Sequence, residues 1–330
     1  MMLASGSNDE NISVPEGTPI GFESFVGKTT RADDATTANL TSMRVYGYIG
    51  DATPVKNFDG TIVTKGTDGI WTYTPKQYWT ADKNYFFTAV ASPVAGGNNH
   101  YTYTWAETLP VITEGFNGIG TISFDNGAAN GNEDVVYAYT TKTTPAILNA
   151  DPGKVAFVFK HALSRVRFTF ENAMGSDAYT IKVYSVKIGN ADGKGDLVLG
   201  SAAPAWSNFQ DNVELILRDE MFVNNKQTAA NAQKIQSGTK FIIPNTTKQL
   251  TISFKVDLMI GENVISTYEH VNVNLPITAF QLGHSYNFTA KITPDNLDPG
   301  QELYPIEFDV TSVDSWVDDP DSEVTLPEKS

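Results

Sequence analysis

The chain has 330 residues, 41% hydrophobic and 11% aromatic with only 18% charged, a composition that builds packed cores. At about 150 residues per domain this length suits two domains. A formal charge of −15 without any Lys/Arg cluster argues against nucleic acid and anionic membrane surfaces as partners, and zero Cys excludes disulfides, thiolate metal sites and Cys nucleophiles.

The opening Met1-Met2-Leu3-Ala4-Ser5-Gly6 lacks the cationic and apolar regions of a signal peptide, and the expectation is that an export signal was removed ahead of it. Next comes the apolar run 20–26, which carries Ile20, Phe22 and Phe25. The polar stretch Lys28-Thr29-Thr30-Arg31-Ala32-Asp33-Asp34 follows and reads as an exposed loop. Alternation of apolar with polar residues, and β-branched or aromatic content, then predict short strands at 43–49, 69–73, 85–91, 135–139, 155–159, 164–170, 180–188, 213–217, 241–243, 250–260, 271–275, 285–292 and 306–313. The clearest case is Leu250, Ile252, Phe254, Val256, Leu258 and Ile260, with Thr251, Ser253, Lys255 and Asp257 between them. Such a strand buries one face.

Turn signals fall between these runs at Asp59-Gly60, Asp68-Gly69, Asn117-Gly118, Asn126-Gly127 and Asp192-Gly193, where Gly or Asn supplies the positive φ of tight turns. One stretch, 224–236, is helix-like, though polar all round. No apolar stretch approaches the roughly 18 to 20 residues of a spanning helix. The fold class is therefore all-β, a Greek-key β-sandwich twice over. Polar, Pro- and Gly-bearing segments at Thr140–Pro145 and Asn149–Gly153 set the expected cut, giving an N-terminal domain 1–148 and a C-terminal domain 149–330 with an acidic tail.

Catalytic signatures are scarce. His100, His161, His270 and His284 form no helical i, i+4 pair, and there is no Gly-x-Ser-x-Gly elbow, phosphate loop or dinucleotide turn. Paired carboxylates leave no fixed spacing, so a glycosidase has no signature to find. The run Asp318-Asp319-Pro320-Asp321-Ser322-Glu323 lacks the Gly-containing spacing of an EF-hand loop and reads as a solvated charge run. Trp71, Trp79, Trp105 and Trp206 offer either a sugar-stacking platform or core packing. The expectation is a non-enzyme without catalytic residues, metal or cofactor.

A succession of weaker motifs points further. Ile20-Gly21-Phe22, Thr30-Arg31-Ala32, Met43-Arg44-Val45-Tyr46-Gly47-Tyr48, Trp71-Thr72-Tyr73-Thr74-Pro75, Tyr78-Trp79 and Tyr85-Phe86-Phe87-Thr88-Ala89 resemble, in that order, the N-terminal half of Bacteroidetes fimbrillins. Phe159-Lys160-His161-Ala162-Leu163-Ser164-Arg165-Val166 is similar to the family's His-Ala-Leu-Ser segment, and Phe280-Gln281-Leu282-Gly283-His284-Ser285-Tyr286 to its Gly-x-x-Tyr turn. The resemblance implies two transthyretin-like sandwiches in tandem, in a precursor exported as a lipoprotein, anchored at the outer membrane by a lipidated Cys and then cut after an Arg. Carried onto this chain, the cut falls between Arg31 and Ala32 and releases the strand of Ile20, Phe22 and Phe25. Subunits then polymerise by strand donation, with Ile306, Phe308, Val310, Val313, Trp316, Val324 and Leu326 as candidate donor residues. The implied partners are other fimbrial subunits, an Arg-specific protease and a host glycan or protein receptor, and the implied place is the cell-surface fimbrium. The alternative is a monomeric glycan-binding adhesin on the same scaffold.

Overall fold

The computed structural model describes residues 19–26, 35–36, 38–50, 54–80, 82–93, 100–104, 119–140, 154–199, 204–217, 220–224, 234–297 and 308–315, excepting the side chains of 25, 26, 224, 234 and 308–315. In chain order the strands are β1 (Gly21–Val26), β2 (Ser42–Ile49), β3 (Val55–Lys65), β4 (Trp71–Thr72), β5 (Tyr85–Ala91), β6 (Tyr101–Thr104), β7 (Gly120–Asp125), β8 (Val136–Tyr139), β9 (Lys154–His161), β10 (Ser164–Asn172), β11 (Tyr179–Leu199), β12 (Ala205–Ile216), β13 (Glu220–Asn224), β14 (Lys234–Ile242), β15 (Thr251–Ile260), β16 (Asn263–Asn274), β17 (His284–Ile292) and β18 (Phe308–Ser315). Two single-turn helices, α1 (Asn126–Ala129) and α2 (Pro294–Leu297), complete the described elements. The chain is all-β, in packed sheets.

Three sheets form. The first has the order β1-β9-β8-β5-β2-β3-β4, the second β14-β10-β17-β18, and the third β16-β15-β11-β7-β6 with β12 and β13 also pairing β11. Strand exchange between chain halves is built into this order: β9, beyond residue 148, joins the first sheet, while β6 and β7, before it, join the third. The ladders are mostly antiparallel, with parallel pairing only for β1 with β9 and β10 with β17 among the described strands.

Burial follows from this layering. In β5 all seven residues, Tyr85 to Ala91, are buried, because one face meets a core with Phe22, Phe58 and Phe157 and the other meets Tyr101, Ile122 and Phe241. An uninterrupted apolar run is what such a two-sided position requires. β15 keeps the alternation read from the sequence, its buried Ile252, Phe254 and Val256 facing Phe168, Ile181 and Phe288 in a third, largely aliphatic core. Each fully buried Phe or Ile contributes roughly 1.5–3 kcal/mol by removal from water.

Two expectations are corrected. Asp192-Gly193 is not a turn: β11 runs through it for 21 residues, bending at bulges near Ser185 and Asn190, where φ is 53° and 61°. Asp192 is buried and its carboxylate receives Lys248 Nζ and Asn245 Nδ2, at 2.5 and 2.9 Å, so strand pairing and a satisfied charge override the turn signal. Likewise Asp59-Gly60 lies inside β3, where Gly60 (φ 70°) forms a bulge against β2. Of the helix-like stretch 224–236, residues 225–233 lie outside the described residues, while Asn224 ends β13 and 234–236 open β14.

Candidate functional site

The first sheet is where the geometry departs from an ordinary sandwich. β1 lies at its edge and pairs in parallel with β9, from Gly21↔Lys154 to Val26↔Phe159. β9 touches β8 in register only at Val136↔His161 and Tyr137↔Lys160, so among the described strands β1 is the main ladder partner of 154–159. On its other side, among the described residues, β1 is clipped at its start: Ile20 N–H donates to Gln77 O at 2.9 Å, and Pro19 bridges Tyr78. The strand thus closes the sheet onto its own far end with few bonds.

Its inward side chains carry the core. Ile20 is 1% exposed and Phe22 3%. The Phe22 ring has its centroid 5.3 Å from Phe58, 5.5 Å from Tyr73, 5.7 Å from Phe157 and 5.9 Å from Phe87, mixing edge, tilted and stacked contacts. Tyr73 donates its hydroxyl to Ile20 O at 2.8 Å, and burial raises the phenol's pKa above its usual value, keeping the donor protonated. One inward position fits poorly. Ser24 is buried, yet its Oγ has no hydrogen-bond partner among the described residues, a cost of about 1–3 kcal/mol. Outward, Glu23 meets Lys154 at 3.0 Å in a largely solvated pair.

The chain returns to the described structure at Ala35, whose side chain is fully buried in the same core as Phe22. Ala35 N–H donates to Asp134 Oδ2 at 2.7 Å, and His161 Nδ1 lies 2.9 Å from that same oxygen. Asp134 and His161 are 0% and 1% exposed. His161 is the last residue of β9, two beyond Phe159, where β1 ends its ladder. The loop bearing Asp134 is bolted to the second sheet: Gly131 (φ 63°) accepts Phe241 N–H at 2.7 Å, and Lys240 Nζ reaches Asn130 O and Asn132 Oδ1 at 3.0 and 2.6 Å. A Cβ on Gly131 would sit 2.9 Å from Phe241 O, so only glycine fits this crossing.

A family model described as fimbrillin-like matches residues 30–311. The chain belongs to the fimbrillin-like family. Among solved structures, a fimbrial protein from Bacteroides vulgatus is 18% identical with a TM-score of 0.64, the match covering 91% of this chain and 99% of that one. A candidate cell adhesion protein from Bacteroides ovatus is 14% identical, TM-score 0.51, with 91% and 98% covered. At such identities these likenesses speak to the fold alone. No match was found among curated proteins.

Set on this fimbrillin-like chain, the residues singled out from sequence fall as follows. Ile20 and Phe22 come together in the core, and Phe25 pairs with Val158 in the β1–β9 ladder. Arg31 and Ala32 lie outside the described residues, as do Ile306, Trp316, Val324 and Leu326. Phe308, Val310 and Val313 lie in β18, opposite Ala290, Phe288 and Tyr286 of β17. Trp71, Trp79 and Trp206 are buried and Trp105 lies outside the description. No helix among the described residues is long and apolar enough to cross a membrane, and no described cluster of three His, Asp or Glu is placed to hold a metal ion.

Sequence reasoning missed the anchor. His161 was visible inside the His-Ala-Leu-Ser segment, but its carboxylate partner is 27 residues away and Ala35 is 99 residues from Asp134. Adjacent Glu133 and Asp134 ahead of an apolar strand were the available signal, since acids at the edge of a core are costly without partners. Glu133 Oε2 receives the His100 backbone N–H at 2.9 Å and lies 2.7 Å from His100 Nδ1.

Proposed function

We propose that this fimbrillin-like chain is a structural fimbrial subunit of the cell surface, with β1 as the strand it gives up on assembly. The precursor is exported as a lipoprotein, an Arg-specific protease cuts between Arg31 and Ala32, and β1 leaves with its Ile20 and Phe22. That departure opens an apolar groove beside β9 and leaves the β9 backbone unpaired, and an extended segment of another subunit restores both. Assembly is completion of a fold. The observation that carries this reading is Phe22, a central ring of the core held on an edge strand with one full ladder neighbour.

Ser24 adds a driving force, since a donor with an apolar side chain in its place avoids the unsatisfied hydroxyl. The pairing of β18 with β17 favours a donor beyond it, at Trp316, Val324 and Leu326, because withdrawing Phe308, Val310 and Val313 would dismantle a formed ladder. Two sandwich units, divided near residue 148 but with β9 crossing into the first sheet and β6 and β7 into the third, fit this scheme. The test is digestion of the purified chain with an Arg-specific protease, followed by intact mass and size analysis. Cutting after Arg31 that yields oligomer ladders, lost in Arg31→Ala, is the expected result, and cutting without assembly would contradict it.

A second reading, an adhesin that binds a glycan, has one favouring feature: an open groove of about 350 Å³ lined by His100, Thr102, Ser123, Asp196, Asn208 and Gln210. Hydroxyl, amide and carboxylate groups there suit sugar hydroxyls, and the volume is that of a small-ligand site. Binding of the uncut chain to immobilised glycans, abolished by Asp196→Ala, is what this reading requires.

A further inference from the structure

We propose that Asp134 and His161 form a retaining latch that holds the chain at Ala35 while β1 is withdrawn, so that release stops at the processed end. This rests on the strand-release reading above and adds to it the residues that limit the release. Three observations converge on it. First, both sides of the expected cut are fastened to one strand: β1 ends its ladder at Phe159, and Ala35 is tied through Asp134 to His161, two residues further along β9.

Second, the two fastenings differ in kind. β1 is held by an exposed-edge ladder, whereas Ala35 N–H donates 2.7 Å to a fully buried carboxylate. A hydrogen bond to a charged group away from water is among the stronger single contacts a backbone amide makes. The carboxylate itself is immobilised by the second sheet, through Gly131 and Lys240. It therefore stays in place when the first sheet opens.

Third, what the latch retains is part of the groove. Ala35 and Leu40 belong to the core that Phe22 fills. Between them a self-capped turn forms, with Thr36 N–H on Asn39 Oδ1 at 2.7 Å and Leu40 N–H on Thr36 O at 3.0 Å. Were residues 35–40 to follow β1 out, the groove would lose a wall and the incoming strand its fit. The latch thereby sets the length of the vacated site.

Hydrogen exchange with peptide-resolved mass analysis tests this on the full chain, before and after the Arg-specific cut. In the wild type, amides of 35–40 should keep their protection when those of 21–26 lose it. Two variants attack the latch separately: Asp134→Asn removes the charge with little change of shape, and Ala35→Pro removes the donor while adding a ring at a buried position. Each should speed exchange of 36–40 on the order of tenfold or more, already in the uncut chain. After the cut each should let 35–40 open together with β1 and lower the yield of oligomers. The proposal is overturned if the cut wild type loses protection at 35–40 along with β1, or if both variants exchange there like the wild type. A chain that resists cutting at Arg31 counts against the strand-release reading, while the uncut comparison still decides the latch.

Discussion

The two largest cores of the molecule both contain aromatic rings, but they place those rings differently. In the first sheet's core, Phe22 meets four other rings within 6 Å and stands on an edge strand. In the core shared by the second and third sheets, Phe168 and Phe288 stack at 5.5 Å on β10 and β17, neighbours inside a sheet, and Phe170 tilts against Phe254 of β15 at 5.4 Å. The same residue type thus stands on an edge strand in one region and inside the sheets in the other. What decides the difference is the ladder around the ring.

That contrast can be broken by truncating one ring in each region. Phe168→Ala should cost the most, about 3–5 kcal/mol, because no part of the second core leaves without unfolding the rest. Phe22→Ala removes four ring contacts but should lower global stability less, since detachment of β1 caps the loss at that strand's own docking energy. Denaturant unfolding of both variants decides it, with equal losses counting against a separable strand. A gain sharpens the same picture: Ser24→Ala removes an unsatisfied buried hydroxyl and should tighten β1 by about 1 kcal/mol, read as slower exchange of 21–26 and slower assembly after cutting.

The smallest expected effect is one of pH, and it lies in the second region. His270 stacks on Phe254 at 4.9 Å, and burial lowers its pKa below the ordinary 6.5. The unfolded chain then binds the proton more readily than the folded one. Stability contributed by neutral His270 is whole above about 6.5 and declines as pH falls below it. His270→Gln should flatten that decline in pH-dependent thermal melts, while exchange of β1 stays unchanged.

Much of this was legible in the residues. The alternation of β15 announced a one-faced strand, the run 85–91 marked β5, and the apolar run with Ile20 and Phe22 marked β1. What period and turn signals could not carry was long-range pairing. β11 crosses Asp192-Gly193 because β12, β7 and Lys248 hold it extended, and β9 serves the first sheet although it follows the Pro- and Gly-bearing segment. The anchor at Asp134 was hidden for the same reason. A buried acid announces that it has a partner, not which one, and here one partner lies between β1 and β2 and the other ends β9.

The central claim is that β1 is held as a separable unit of the first sheet. Native-state hydrogen exchange of the uncut chain, followed across low denaturant concentrations, tests it most directly by comparing Gly21–Val26 with Ser164–Asn172. The account predicts that β1 exchanges through a sub-global opening, faster than β10 and nearly independent of denaturant. Exchange of both strands at one rate, with the full denaturant dependence of global unfolding, would contradict it.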